Sequence, residues 1–97
     1  MNRESVQRQL ASYLTELDEM GVKSLELFGS VARGEAGPES DLDFLVEFSR
    51  PVGLFHFFHV QHRIEEILGV KKVDLIEKGA EHAALRARIR EEAVRVA

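Results

Sequence analysis

The segment Asp41–Phe48, DLDFLVEF, constrains the fold more than any other stretch of this chain. Successive side chains of a β-strand point to opposite faces, so Leu42, Phe44 and Val46 form one apolar row while Asp41 and Asp43 share the other face. Such a strand needs a sheet with one face packed under apolar cover and an opposite face that leaves two carboxylates accessible. The rest of the chain supplies the cover. Val6, Leu10, Leu14 and Leu17 recur at helical spacing from about Ser5 to Met20, and Gly21 is a natural stop. Lys23–Phe28 reads as a short strand carrying Leu25 and Phe28 among charges and breaking at Gly29. Gly29 to Ser40, with its Gly37-Pro38 pair, predicts a loop holding one helical turn around Val31 to Arg33. Pro51 stands where a helix N-terminus tolerates proline, and Phe57, Val60, Ile64, Ile67 and Leu68 then line one face as far as Gly69. Val70–Ile76 reads as a third strand, and Glu81–Val96 as a closing helix with Leu85, Ile89 and Val96 inward.

The expected architecture is α/β in the α+β sense: two layers, a small mixed sheet of about three strands, and helices covering one of its faces. With 97 residues and no linker or repeat, residues 1–97 are read as a single domain around one core. The absence of cysteine excludes a disulfide framework and a thiolate zinc site, and fits a reducing cytoplasm. The N-terminal residues have no apolar region of signal-peptide type. The longest apolar stretch, Val52–Val60, is too short to span a bilayer, so no membrane association is expected. A net charge of -4 argues against direct nucleic-acid binding over the whole surface. Arg86, Arg88, Arg90 and Arg95 lie among Glu81, Glu91 and Glu92 and read as a solvated helix face.

The chemistry is concentrated around the carboxylates. Asp41 and Asp43 on one strand face repel each other unless a cation lies between them, and hard oxygen ligands suit Mg²⁺. Asp74, flanked by Val73 and Leu75, faces the same open side if its neighbours face the core. A third carboxylate there completes a two-metal site or accepts the proton of an attacking hydroxyl. Upstream, Gly29 lets a phosphate approach the backbone, the Ser30 hydroxyl offers it a hydrogen bond, and Arg33, one turn on, presents a guanidinium fork to a triphosphate or departing pyrophosphate. Neither GxxxxGK[ST] nor GxGxxG occurs, so this phosphate cradle is not of the ATPase or dinucleotide type. Blander readings stand beside these: Asp-x-Asp as turn and capping chemistry, Asp74 as a solvent-facing strand residue, Arg33 as a surface partner of Glu35 or Glu39.

Taken together, GSVARGEAGPESDLD resembles the Gly-Ser, ten residues, Asp-x-Asp signature of the DNA polymerase β-like nucleotidyltransferases. It looks most like their minimal (MNT) branch, the antitoxin partners of HEPN toxins, over roughly Ser24 to Glu77. The resemblance implies Asp41 and Asp43 as metal ligands, Asp74 as the third carboxylate, and Gly29 and Ser30 as triphosphate contacts. It implies two Mg²⁺ ions, with Mn²⁺ as a substitute, and a nucleoside triphosphate, expected to be ATP, whose AMP is transferred to a partner protein. That partner is expected to be a HEPN-family toxin ribonuclease encoded by a neighbouring gene. Two other functions remain open: a non-catalytic antitoxin acting by contact, and a nucleotidyltransferase for a small molecule of the antibiotic type.

The helix after Pro51 adds two features. His56, His59 and His62 repeat every third residue and spread across too wide an arc to converge on one ion. Phe55, Phe58 and His62 form a face separate from the apolar stripe, which requires either deep burial or contact with a second chain.

Overall fold

The computed structural model describes residues 2–29, 42–80 and 83–97, the side chains at 84 and 88 apart. Asn2 caps the first helix, α1 (Arg3–Ala11), by accepting the Ser5 N–H on its side-chain oxygen at 2.8 Å. The continuous helix expected from Ser5 to Met20 is in fact two. The chain tightens at Ser12 and Tyr13, where the Tyr13 N–H reaches Leu10 O at 2.9 Å, and α2 (Leu14–Glu19) follows. That break changes the phase of the apolar stripe, so Val6, Leu10 and Leu17 are buried while Leu14 is 47% exposed.

Four strands form the sheet where three were expected: β1 (Val22–Phe28), β2 (Leu42–Phe48), β3 (Val73–Glu77) and β4 (Val94–Arg95), in the order β3-β2-β1-β4. β1 runs antiparallel to β2 and β4, and β2 runs parallel to β3 across the crossover helix α3 (Leu54–Leu68). Gly69, at φ 67, ends α3 in the left-handed conformation that favours glycine. The closing helix, α4, spans Ala83–Glu92 and stops short of the expected Val96. Beyond it Val94-Arg95-Val96 alternates with period two, and two β-branched residues fit an edge strand better than another helical turn. Val94 and Arg95 pair with Leu27 and Glu26, and the Val96 N–H donates to Leu25 O at 2.9 Å. Val96 is buried as expected, from a strand end and not from a helix.

Helices lie on both faces of the sheet, which corrects the expectation of cover on one. The larger core joins Val6, Leu10 and Leu17 of α1 and α2, and Val60, Ile64 and Leu68 of α3, to the row Leu42, Phe44 and Val46 with Leu25, Leu27, Val73 and Leu75. A register shift between Val22 and Ser24 lets both Val22 and Leu25 face this core despite their odd spacing. Burial of each such side chain stabilises the fold by about 1.5–3 kcal/mol relative to exposure. On the opposite face Phe28 and Leu45 meet Ile89 of α4, bordered by Ile76, Leu85 and Ala93. That second core covers only part of its face. Among the described residues no helix is long and apolar enough to cross a membrane.

Candidate active site

Asp43 and Asp74 meet because β2 and β3 enter the sheet side by side. In their parallel register Asp43 stands opposite Asp74 and Leu42 opposite Val73, while Phe28, at the end of β1, flanks Asp43 on its other side. Opposed residues on neighbouring strands are about 4.8 Å apart along the hydrogen-bonding direction. Both carboxylates are half-buried, with Val73 and Leu75 on either side of Asp74 turned into the core. They face a cleft of about 490 Å³ that Phe28, Gly29, Gln61 and Glu92 also line, with Phe57, Phe58, Ile76 and Leu85 as its apolar wall.

Gly29 shapes one end of this cleft. Its φ is +80°, and a β-carbon there would lie 2.5 Å from Asp43 Oδ2, so a side chain is excluded by backbone conformation and by the carboxylate together. The strand end is thus bare where Asp43 sits. On the other side, Lys72 Nζ lies 3.6 Å from Asp74 Oδ1, with the two side chains 62% and 42% exposed. A pair this open contributes little to stability and leaves the carboxylate accessible to another cation.

Two carboxylates in register are destabilising by themselves, and a divalent ion that accepts hard oxygen donors removes the conflict. Asp43 and Asp74 fit such an ion by donor type and by their common face. Among the described residues no three His, Cys, Asp or Glu side chains form a cluster able to hold a metal. Asp41, the expected third ligand, lies outside the described residues, as do Ser30, Arg33 and the expected turn around Val31 to Arg33. The structure therefore brings together Gly29, Asp43 and Asp74 of the six expected site residues.

Several cleft residues escape a reading of the sequence. Phe57 reads as core and Glu92 as solvated helix surface, yet both line the cleft. Gln61 carries no signal at all, since only the packing of α3 against the β3 edge brings it there. Phe58, assigned from spacing to a second helix face, contributes to the cleft wall and is 45% exposed. His56 points elsewhere, its Nε2 donating to the Met20 carbonyl at 2.5 Å and tying α3 to the end of α2.

A strand end with no side chain at Gly29 beside two in-register carboxylates leaves room for a phosphate next to a divalent ion, which is what an in-line displacement at phosphorus requires. The nucleotidyltransferase domain family matches residues 8–96, and the chain belongs to that family; it is a nucleotidyltransferase. Within the family its similarity lies with the minimal enzymes. It is 38% identical over 96 residues, covering 99% of both chains, to a protein of Methanocaldococcus jannaschii provisionally named a protein adenylyltransferase. It is 34% identical over 94 residues to the protein adenylyltransferase MntA of Thermococcus cleftensis, covering 96% of this chain and 94% of that one. Among solved structures it resembles one provisionally described as a minimal nucleotidyltransferase, with a TM-score of 0.79, 33% identity, and coverage of 97% of this chain and 95% of that chain. A chain from the complex of a tri-AMPylated Shewanella oneidensis HEPN toxin with its MNT antitoxin shares the fold at a TM-score of 0.68, with 14% identity and coverage of 98% and 71%.

Proposed function

We propose that this chain transfers AMP from ATP to a partner protein, and that the partner is a HEPN-family toxin ribonuclease encoded beside it, which the modification silences. The observation that carries this reading is the row Gly29, Asp43, Asp74 across the ends of three adjacent strands, opening on one cleft. Names and complexes among the relatives support it: a protein adenylyltransferase, and an AMPylated toxin bound to its antitoxin.

The row has a direction. The triphosphate belongs at the β1 end, where Gly29 leaves the backbone bare and where Ser30 and Arg33 follow in sequence. The acceptor belongs at the β3 end, where Asp74 is 42% exposed and α3 supplies Phe57, Phe58 and Gln61. Asp41, Asp43 and Asp74 would hold two Mg²⁺ ions, with Mn²⁺ as a substitute, and these, when bound, supply charge neutralisation at the transferring phosphate. The chain's own groups do the rest. Gly29 and Ser30 accommodate phosphate oxygens, Arg33 stabilises the departing pyrophosphate, and Asp74 receives the proton as the acceptor oxygen bonds to the α-phosphorus.

The helix that walls the acceptor end, α3, also carries exposed apolar side chains. Phe55 is 92% exposed, Leu54 67% and Phe58 45%, so the second face of α3 is not buried by this chain. We read it as the surface on which the partner docks. The same ridge favours a second reading, in which contact alone neutralises the partner. Co-expression with the neighbouring gene's product, followed by intact-mass measurement of both chains, separates the two. Transfer predicts AMP increments on the partner with the wild type and none with Asp43→Asn. An unmodified partner that is nevertheless bound and inactive leaves contact as the whole function.

A further inference from the structure

β3 is the outer strand of the sheet at the site end, and its free edge is held by two side chains of α3. Gln61 Nε2 donates to Val73 O at 2.7 Å, and Glu65 Oε2 accepts the Val73 N–H at 2.9 Å. Gln61 and Glu65 are four residues apart, so they lie one above the other on the same helix face. Between them they satisfy both backbone groups of the residue that immediately precedes Asp74. Backbone groups of successive strand residues point to alternate edges, so with those of Val73 turned to α3, those of Asp74 turn to β2. Val73 in turn stands opposite Leu42, and Asp74 opposite Asp43.

We infer that Gln61 and Glu65 are positioning residues: they clamp the start of β3 to α3 and thereby fix how far along β2, and how near Asp43, the Asp74 carboxylate stands. The inference rests on the proposed function in taking Asp43 and Asp74 to share a metal. An edge strand has a partner on one side only, and the charges of Asp43 and Asp74 push β3 away from β2 at its first residues. Two hydrogen bonds from a helix that is itself anchored by Val60, Ile64 and Leu68 in the core oppose that displacement where it matters. Edge protection alone would not require both groups of this one residue to be held by side chains of the helix that walls the cleft.

The test measures Mn²⁺ binding to the full chain in the presence of a non-hydrolysable ATP analogue. Gln61→Met and Glu65→Met remove the hydrogen bonds at similar side-chain length. Glu65→Gln keeps an acceptor for the Val73 N–H and is the conservative rescue. The clamp predicts that each Met variant weakens Mn²⁺ binding about tenfold, the low end of what losing an outer support costs a metal site, and that Glu65→Gln stays within about twofold of the wild type. Wild-type affinity in both Met variants overturns it, as does a Glu65→Gln variant as weak as Glu65→Met, which would make charge and not the hydrogen bond responsible. Should the Met variants unfold, hydrogen exchange on the wild type decides: coupling between clamp and site requires Mn²⁺ and the analogue to slow exchange of the Val73 amide, and an unchanged rate overturns the clamp. AMP transfer by the wild type is followed in parallel. A wild type that binds Mn²⁺ but transfers nothing sinks the transfer reading and leaves the clamp judged by the affinity ratios. A wild type that binds no Mn²⁺ overturns the clamp itself.

Discussion

One face of the sheet carries Leu25, Leu27, Leu42, Phe44, Val46, Val73 and Leu75 under three helices, every one of them buried. The opposite face carries Asp43 and Asp74 at its site end, with Phe28 beside Asp43 and Leu45 further along meeting Ile89 of α4 in a small core. Both faces come from the same strands, one residue apart. Stability and chemistry are therefore assigned to alternate positions, and among the described residues no polar side chain is fully buried in either core. A half-exposed carboxylate on the second face costs the fold little, because the first face already holds the sheet together.

Neighbouring residues should break this comparison cleanly if it is wrong. Phe44 is fully buried, and Phe44→Ala should cost about 3–5 kcal/mol, a large part of the 5–15 kcal/mol typical of a domain. Asp43→Asn, one position earlier, should lower AMP transfer on the order of 10³-fold or more while the metal-free melting temperature holds or rises slightly, since repulsion with Asp74 is relieved. Thermal melts and a transfer assay on both variants decide. An Asp43→Asn variant that melts early and keeps its activity would make the carboxylate structural.

Two glycines sharpen the same contrast. Gly29 and Gly69 have φ of 80 and 67, so alanine at either should cost about 1–2 kcal/mol of backbone strain. Only at Gly29 does the new methyl meet a functional group, Asp43 Oδ2 at 2.5 Å, whereas nothing lies within 4 Å at Gly69. Gly29→Ala, which adds that contact to the same backbone strain, should melt no higher than Gly69→Ala, and only Gly29→Ala should lose metal-dependent ATP binding, measured by calorimetry. Equal ATP binding by the two would remove Gly29 from the site.

How much of this was legible in the sequence follows from the range of the interactions. Period-two alternation in DLDFLVEF placed Leu42, Phe44 and Val46 in the core, and the step of one residue in Val73-Asp74-Leu75 turned Asp74 outward. Both are local. The helix stripe Phe57, Val60, Ile64, Ile67 and Leu68 was equally local; Val60, Ile64 and Leu68 are buried, and Phe57 and Ile67 pack half-buried against the same core. What escaped depends on partners distant in the chain. The fourth strand exists because Val94 and Arg95 find Leu27 and Glu26, and α4 lies on the second face because Ile89 finds Phe28 and Leu45. The break at Ser12 and Tyr13 had no glycine or proline to announce it. Gln61 and Glu92 reach the cleft only through packing, so no spacing could have marked them.

The exposed ridge of α3 tests whether the open face extends beyond the cleft. Replacing Phe55 and Phe58 together by Ala should weaken capture of the proposed partner about a hundredfold, as expected for aromatic anchors, in a pull-down or calorimetric titration. Phe55 is 92% exposed, so the fold should tolerate its loss; metal-dependent ATP binding should change far less than partner capture. Wild-type capture by a folded double variant would move the docking surface elsewhere.

The smallest effect belongs to the far side of the molecule, where α2 is tied to α3. Arg63 Nε donates to Glu16 Oε2 at 2.5 Å and a terminal nitrogen donates to Oε1 at 3.0 Å, with the guanidinium 5.4 Å from the centre of the Tyr13 ring. The hydrogen bond from Arg63 is the main reason the Glu16 carboxyl titrates below its ordinary value of 4.5; partial desolvation opposes the shift, and the charges of Arg63 and His59 add to it. A carboxyl whose pKa is lower in the folded chain stabilises the fold above its unfolded value, and the contribution fades as pH falls through the lowered one. The Arg63 and Glu16 side chains are 29% and 38% exposed, enough for solvent to reach the pair, which keeps the effect small and sensitive to salt. Glu16→Gln should therefore melt slightly earlier than the wild type at neutral pH, and the gap should close as pH drops below about 4.5 and shrink in high salt. Because this contact lies behind the larger core and not on the cleft, Mn²⁺ and ATP binding at neutral pH should be unchanged in the variant. A gap that widens in acid would mean that some other carboxyl sets the acid limit of the fold, and a loss of ATP binding would show that the two sides of the sheet are coupled more tightly than their separate cores imply.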